Sequence, residues 1–335
     1  MALITVTIPT YCRDVYLKEA LESVLTQTVT DLEILVSDNA NSSSTRALVQ
    51  SYGDPRVTYA PLLENIGPHG NLTRCLHLGS APYVAVLNDD DTMYPTSLEA
   101  KLALLEEHPT AGVAHSGFNY MDHAGEVTAE NITWTGQPEP ALFETGREFI
   151  ERAMAVGNRI CVSAALQRRP AVAYLGQDER DGSFSDLGLW LRTALSWDFA
   201  FVNEPLTGVR IHPESTTGGH GLYELNDGVL KISTVRMTSA ARAAKLRFID
   251  EYTTNTRDRM SLRHLVRDRA RTELKGIVAD ETLGLRSVSS TAQSLYRAAR
   301  VEPSLWWSPW SAVLLASSVF GRRLFDFTVE MRMQP

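Results

Sequence analysis

The chain has 335 residues, of which 44% are apolar and 21% are charged. This balance is typical of a globular protein and excludes an intrinsically disordered chain. Residues 1–229 carry 14 Lys and Arg against 30 Asp and Glu, whereas residues 230–335 carry 18 against 10. An acidic front half and a basic back half favour two modules with different partners, although two halves that complement each other electrostatically would give the same pattern.

Strand and helix patterns alternate over the first third of the chain. Apolar and β-branched runs predict strands at 3–9, 32–37, 56–60 and 82–88, and apolar residues at helical spacing lie between these runs and at 96–107. This order predicts an α/β fold with a mostly parallel, Rossmann-like sheet and helices on both faces.

After residue 110 the pattern is less regular. We predict a hairpin turn at 121–126, a polar loop at 131–142, helices at 146–155 and 185–195, and an almost entirely helical chain from residue 227 onward. We predict one domain over 1–225, with halves at 1–110 and 111–225, followed by a helical extension over 226–335.

Three consecutive carboxylates, Asp89 to Asp91, directly follow a buried strand in the segment LNDDDTMYP. Ligands of open α/β sheets bind at the carboxyl ends of the strands. Hard oxygen ligands suit Mg²⁺ or Mn²⁺, which also bind substrate phosphates. A solvated acidic turn before the helix at 96–107 is the alternative explanation.

The ends of the neighbouring strands are also polar. The first strand ends at Pro9, Thr10 and Tyr11, and the second ends at Asp38. Asp38 could accept the imide N–H of uracil or thymine, or it could form a turn before the serine-rich segment.

The segments IPTYCRDVYLKEALESVLTQT, LEILVSDNA, ENIGPHGN and PYVAVLNDDDTMYP together resemble the family 2 glycosyltransferases of the GT-A fold, over about residues 3–215. The resemblance implies a metal-dependent, inverting transfer of one sugar from a UDP- or dTDP-sugar. It places at the donor nucleotide Pro9, Thr10, Tyr11, Arg13, Asp38, Asn65, Gly67, Asn88, Asp89 and Arg210. It places at the metal Asp90, Asp91 and His212. It also implies that 1–225 is a catalytic domain, in which 1–110 binds the nucleotide and 111–225 binds the acceptor.

The chain departs from the family pattern at Asn88, where the first Asp of Leu-Asp-x-Asp-Asp is usual, and at Asn39, where Asp is common. Asp90 is therefore the best metal ligand, and Asp91 is a supporting carboxylate. The resemblance also implies that Asp186, in SDLGLWLRTA, is the general base, although an acidic residue in the first turn of a helix is the plain alternative. The segment 215–221 could close over the bound donor.

The expected partners are a nucleotide-sugar donor and a hydroxyl acceptor that is a glycan, a lipid-linked sugar or a small molecule, with no nucleic acid. A sugar-1-phosphate nucleotidyltransferase and a non-catalytic sugar-nucleotide-binding protein are the competing functions. The first would need a glycine-rich basic loop after the first strand, which PTYCRD lacks.

Three widely separated cysteines favour a reducing compartment, and a strand-like run from Leu3 argues against a signal peptide. We therefore predict a cytoplasmic protein. The basic back half includes LWWSPW and a short apolar run at 310–320. These features suit either packing on the catalytic domain or on a second copy of the chain, which would form a homodimer, or peripheral contact with the inner face of the membrane.

Overall fold

The computed structural model describes residues 2–132, 143–212, 223–226, 229–232 and 234–283, together with positions 296 and 299. The chain divides into two compact units, Met1–His220 and Gly221–Pro335. The segment 215–221, the tryptophan-rich tail and all but the first two residues of the loop expected at 131–142 lie outside the described residues.

The described part of the first unit alternates strands with helices from its beginning. In chain order its elements are β1 Ile4–Thr10, α1 Asp14–Leu25, β2 Leu32–Asp38, α2 Ser43–Ser51, β3 Val57–Pro61, α3 Gly67–His77, β4 Tyr83–Val86, β5 Thr92–Met93, α4 Ser97–Glu107, β6 Ala111–Met121, β7 Val127–Ile132, β8 Phe143–Glu144, α5 Gly146–Val156, β9 Ala165–Arg168, α6 Arg169–Val172, α7 Ser185–Thr193 and β10 Asp198–Arg210.

These strands form one sheet in the order β3-β2-β1-β4-β9-β6-β10-β5, with β7 beside β6 and β8 beside β10. The four strands β3, β2, β1 and β4 are parallel, as the alternating pattern predicted. Beyond β4 the sheet is mixed, because β9 runs antiparallel to both β4 and β6, whereas β6 and β10 are parallel. Antiparallel neighbours need no helical crossover, so the periodic signal that marks βαβ units is missing there.

Strand β1 shows why helices cover both faces. Ile4, Val6 and Ile8 are fully buried in a hydrophobic cluster that includes residues of α1 and α4. The alternate residue Thr7 points to the other face, where its hydroxyl contacts Cys75 of α3. Successive side chains of a strand point to opposite faces, so helices on both sides bury one strand completely.

The second unit begins with a hairpin of β11, Tyr223–Asn226, and β12, Val229–Ile232. The prediction of helix from residue 227 is therefore wrong at 229–232. The run VLKI is too short for the spacing of its apolar residues to distinguish a strand from a helix. It is confirmed by α8, Thr234–Tyr252, and α9, Thr256–Leu283. Within the residues described here, no helix combines the length and the apolar character needed to cross a membrane.

Candidate active site

The three carboxylates lie between β4 and β5 and are almost completely buried. Asp89 is 4% exposed, Asp90 8% and Asp91 2%. Burying a charge is costly unless hydrogen bonds or opposite charges compensate it. The partners of each carboxylate therefore indicate what that residue does.

Asp89 faces the end of β1. Its carboxylate accepts a 2.7 Å hydrogen bond from the Thr10 hydroxyl and lies 3.3 Å from Nη1 of Arg13. Burial and the neighbouring Asp90 raise the pKa of Asp89, and the contacts with Thr10 and Arg13 oppose that rise. Thr10, Arg13 and Asp89 therefore lie together, and their predicted place at the donor nucleotide stays a prediction.

Asp90 contacts two side chains from distant parts of the chain. Its Oδ2 lies 3.0 Å from Nη1 of Arg13 and 3.2 Å from Nε2 of His212. The His212 ring is buried and packs against Tyr16, with the ring centroids 4.9 Å apart. Arg13 keeps 26% of its side-chain surface exposed. The carboxylate of Asp90, the imidazole of His212 and the guanidinium of Arg13 therefore lie together where β1 and β4 end.

Both carboxylate oxygens of Asp91 accept hydrogen bonds from protein groups. One carboxylate oxygen accepts the backbone N–H of Arg210 at 2.9 Å. The other accepts the Ser163 hydroxyl at 2.5 Å and the Asn88 amide at 3.2 Å. Burial, followed by the charge of Asp90, raises the pKa of Asp91. These contacts favour the role of supporting carboxylate, and direct metal ligation by Asp91 stays a prediction.

The Arg210 guanidinium is 1% exposed and is directed at protein groups. Its Nε donates to the carbonyl of Asp90 at 2.9 Å, and its Nη2 pairs with Glu19 of α1. Its Cζ lies 4.8 Å from the centre of the Tyr16 ring. The contacts favour a positioning role for Arg210, and its predicted contact with a diphosphate stays a prediction.

Beside this cluster, Asp38 lies at the end of β2 and is fully buried. Its carboxylate accepts the backbone N–H groups of Ala40 and Ser42 and the hydroxyl of Tyr59, all within 2.8 Å. Burial and this hydrogen bond raise the pKa of Tyr59 to about 12. The turn-forming role of Asp38 is present in the structure, whereas binding of a nucleobase stays a prediction.

The loop after β3 is joined to the loop after β2 by amide side chains. Asn39 donates to Oδ1 of Asn65 at 2.8 Å, and the same oxygen accepts the backbone N–H of Gly67. Gly67 has a φ of 75° and begins α3, so this position requires a glycine-like backbone. Pro9 and Tyr11 are the sequence neighbours of Thr10, and Tyr11 is 52% exposed.

Asp186 lies in the first turn of α7. Its Oδ2 accepts a 2.6 Å hydrogen bond from the Asn158 amide, and its Oδ1 accepts the backbone N–H of Leu187. Burial raises the pKa of Asp186 to about 6, although both hydrogen bonds act in the opposite direction. A carboxylate with this pKa is ionised at neutral pH and is more basic than an exposed aspartate.

The donor set around Asp90 fits an open site for a divalent cation. In the part of the chain that the structure describes, no three His, Cys, Asp or Glu side chains are arranged to hold a metal. Asp90 and His212 nevertheless supply one oxygen and one nitrogen ligand 3.2 Å apart. Mg²⁺ and Mn²⁺ sites of this kind rely on few protein ligands and are completed by water and substrate phosphates.

Four side chains at the site were not predicted from the sequence, namely Tyr16, Glu19, Asn158 and Ser163. Glu19 meets Arg210 across 191 positions of sequence, and Ser163 meets Asp91 across 72. Local patterns carry no signal for such contacts. Tyr16 and Glu19 do lie three residues apart on α1, a spacing that places both on one side of the helix.

The chain is similar to known glycosyltransferases. The family model described as glycosyl transferase family 2 matches residues 5–171. An uncharacterized glycosyltransferase of Methanocaldococcus jannaschii is 26% identical over 62% of this chain and 71% of its own length. The GalNAc(5)-diNAcBac-PP-undecaprenol beta-1,3-glucosyltransferase of Campylobacter jejuni is 36% identical over 34% of this chain, which spans only 37% of that enzyme.

Solved structures show the same fold. The crystal structure of Staphylococcus aureus TarS 1–349 in complex with UDP covers 96% of this chain and 92% of its own, with a TM-score of 0.59 and 14% identity. The mannosyltransferase PcManGT from Pyrobaculum calidifontis, in complex with GDP-Man and Mn²⁺, covers 95% and 86%, with a TM-score of 0.51 and 15% identity. The central mixed sheet with its flanking helices is thus a GT-A fold, and the chain belongs to the family 2 glycosyltransferases.

Proposed function

We propose that the protein transfers a single sugar from a nucleoside-diphosphate sugar to an acceptor hydroxyl, with inversion at the anomeric carbon and with Mn²⁺ or Mg²⁺. The observation that carries the proposal is the convergence of Asp90, His212 and Arg13 at the ends of β1 and β4. This group combines ligands for a cation with an arginine that can contact phosphate.

Asp90 and His212 would hold the cation, and Asp91 would keep Asp90 in place through the backbone of Arg210. When bound, the metal would stabilise negative charge on the departing nucleoside diphosphate. Arg13 is partly exposed and already contacts Asp89 and Asp90, so it is suited to turn toward the diphosphate. The absence of the Gln-x-x-Arg-Trp element of processive synthases from the sequence supports transfer of one sugar.

Asp186 would act as the general base. It would take the proton of the acceptor hydroxyl while that oxygen bonds to the anomeric carbon and the bond to the diphosphate oxygen breaks. Attack from the face opposite the leaving group inverts the configuration. The pKa of about 6 supports this role, because a base works best with a pKa near the operating pH.

A uridine or thymidine diphosphate sugar is the favoured donor. Asp38 lies at the end of β2 beside Thr10, where its carboxylate could accept the imide N–H of uracil or thymine. Among the structural neighbours, TarS was crystallised with UDP and with UDP-GlcNAc, and PcManGT with GDP-Man. The acceptor hydroxyl belongs to a glycan, a lipid-linked sugar or a small molecule.

Thermal unfolding in the presence of UDP, dTDP or GDP, each with and without Mn²⁺, tests the donor and the metal together. We expect UDP or dTDP to raise the melting temperature only with Mn²⁺, and a ligand at 100 times its Kd adds about 2.7 kcal/mol of stability. Slow release of UDP or dTDP from the matching nucleotide sugar should then follow, with water as acceptor. Binding that ignores Mn²⁺, or binding without turnover of any nucleotide sugar, would contradict the proposal.

A further inference from the structure

Residues 158–163, here called the bridge segment, connect α5 to β9 and reach two parts of the site. Gly157, with a φ of 102°, ends α5 and redirects the chain. At one end of the segment, Asn158 contacts Asp186, and at the other end Ser163 contacts Asp91. The bridge segment thus touches both the carboxylate cluster and the base.

The bridge segment is held in place by its own buried contacts. Arg159 has 5% of its side-chain surface exposed and pairs with Glu144 at 3.0 Å. The carbonyl of Ile160 accepts the indole N–H of Trp190, which belongs to the same helix as Asp186. Trp190 and Asp186 both lie on α7. The hydrogen bond from Trp190 to the bridge segment therefore keeps the distance between that segment and Asp186 constant.

The two contacts of the Asn158 amide determine its orientation. Its Oδ1 accepts the backbone N–H of Ile160 at 3.1 Å, so its Nδ2 is the group that faces Asp186, at 2.6 Å. The reverse orientation would turn an oxygen toward a carboxylate and an NH₂ toward an N–H, which would break both hydrogen bonds.

We propose that Asn158 is a positioning residue for the catalytic base, holding Oδ2 of Asp186 so that the carboxylate keeps one orientation and stays ionised. The inference rests on the proposed function of Asp186. The Asn158 amide donates to one carboxylate oxygen, and the other oxygen is bound by the N–H of Leu187. Together they leave the remaining lone pairs of the carboxylate for an acceptor proton.

The charged groups around Asp186 do not replace this contact. The nearby carboxylate of Asp181 raises the pKa of Asp186, and Arg192 pairs with Asp181 at 3.7 Å. The Cys161 thiol also lies within electrostatic range of Asp186, and burial raises its pKa, so it is neutral near pH 7. Asn158 is thus the neighbour from another element whose contact lowers the pKa of the base.

Two substitutions separate the positioning role from loop formation. Asn158→Ala removes both contacts, whereas Asn158→Asp keeps an oxygen for the N–H of Ile160 and sets a second carboxylate against Asp186. Two adjacent carboxylates cannot both ionise easily, so one pKa rises strongly. The readout is the pH dependence of nucleotide-sugar turnover, with the donor KM measured at each pH.

We expect the acidic limb of the profile to move to higher pH in Asn158→Ala and further in Asn158→Asp. Turnover near pH 7 should fall about 10-fold or more, since hydrogen bonds to charged groups are strong, while the donor KM stays the same. Asn255→Ala serves as a matched control, because Asn255 also accepts a backbone N–H but lies in the second unit.

An Asn158→Asp variant with wild-type turnover and an unmoved limb would show that Asn158 only forms the loop. A uniform loss of turnover at every pH in Asn158→Ala would overturn the inference as well. Asp186→Asn separates these outcomes from a failure of the proposed function. If that variant keeps full turnover, the base itself is misassigned, whatever the Asn158 variants do.

Discussion

At Asp90, one carboxylate oxygen lies within 3.2 Å of both an arginine and a histidine. A divalent cation held by Asp90 and His212 would supply positive charge that stabilises the departing diphosphate. We therefore expect Asp90→Ala to lower turnover at least about 10²-fold, the scale of a lost electrostatic contact at a reacting group. Mn²⁺-dependent UDP binding should disappear in isothermal titration.

The control for that variant is Asp54→Ala, which removes a surface carboxylate paired only with its near neighbour Arg56 among the described contacts. It should leave turnover and UDP binding unchanged. Circular dichroism should show a native fold for both variants. Turnover that survives in Asp90→Ala, or in the wild type with EDTA, would contradict a metal at Asp90.

Asp186 offers a prediction about how stability depends on pH. Burial raises its pKa from 3.8 to about 6, so the ionised carboxylate costs folding free energy above the unfolded pKa, and the full cost is present above about pH 6. Asp186→Asn removes that cost, while its NH₂ must face one of the two N–H donors, the Asn158 amide or Leu187. We expect its stability relative to the wild type to be up to about 3 kcal/mol more favourable at pH 7.5 than near pH 4. Chemical denaturation at the two pH values measures this difference.

Turnover of Asp186→Asn should fall at least about 10²-fold, as expected for loss of a general base, with donor affinity nearly unchanged. An unstable and inactive variant would instead indicate that the carboxylate has a structural role. A variant with weak UDP affinity and normal turnover would place Asp186 at the donor.

Among the elements, β10 is tied to α1 and to the carboxylate cluster by Arg210. Its guanidinium reaches Asp90, Glu19 and the carbonyl groups of Asp122 and His123. We expect Arg210→Ala to lose at least about 2 kcal/mol in urea denaturation, because several buried hydrogen bonds disappear together. Arg56→Ala, at a partly exposed arginine whose salt bridge is with the partly exposed Asp54, should cost much less. Equal stability of the two variants would contradict the positioning role.

The alternation of strands and helices up to α4 could be predicted because each of those elements has its own periodicity and a short loop. The carboxylates at the end of β4 were found in the same way, since they directly follow a buried run. The turn at 121–126 was also predicted, and β6 and β7 pair on either side of it. These features are local in sequence.

The missed features depend on distant partners. Strand β9 has four residues and is defined by its antiparallel neighbours β4 and β6. Asn158 and Ser163 resemble ordinary loop residues until the fold brings them to Asp186 and Asp91. Asp38 is the opposite case, since its position at a strand end indicated a ligand contact. The structure shows that its buried carboxylate also stabilises the loop through hydrogen bonds to Ala40 and Ser42.

At the scale of the whole molecule, acidic and basic residues are divided between the two ends of the chain. The carboxylate cluster lies in the first unit, and the second contains the basic helices α8 and α9. Arg257, Arg263 and Arg267 are exposed on α9. Such a surface attracts anions in general, so charge alone does not distinguish an anionic membrane from the acidic unit of a second copy.

The tryptophans of LWWSPW lie outside the described residues. Replacing them distinguishes an anionic membrane from a second copy of the chain as the partner. Large aromatic side chains stabilise protein interfaces strongly, and we therefore expect Trp306, Trp307 and Trp310 to stabilise a homodimer. Analytical ultracentrifugation should then show a dimer for the full chain and a monomer when the three are replaced by serine. Liposomes containing anionic lipid should float neither protein. Salt-sensitive flotation of the wild type that the serine variant loses would instead show that the tail binds membranes.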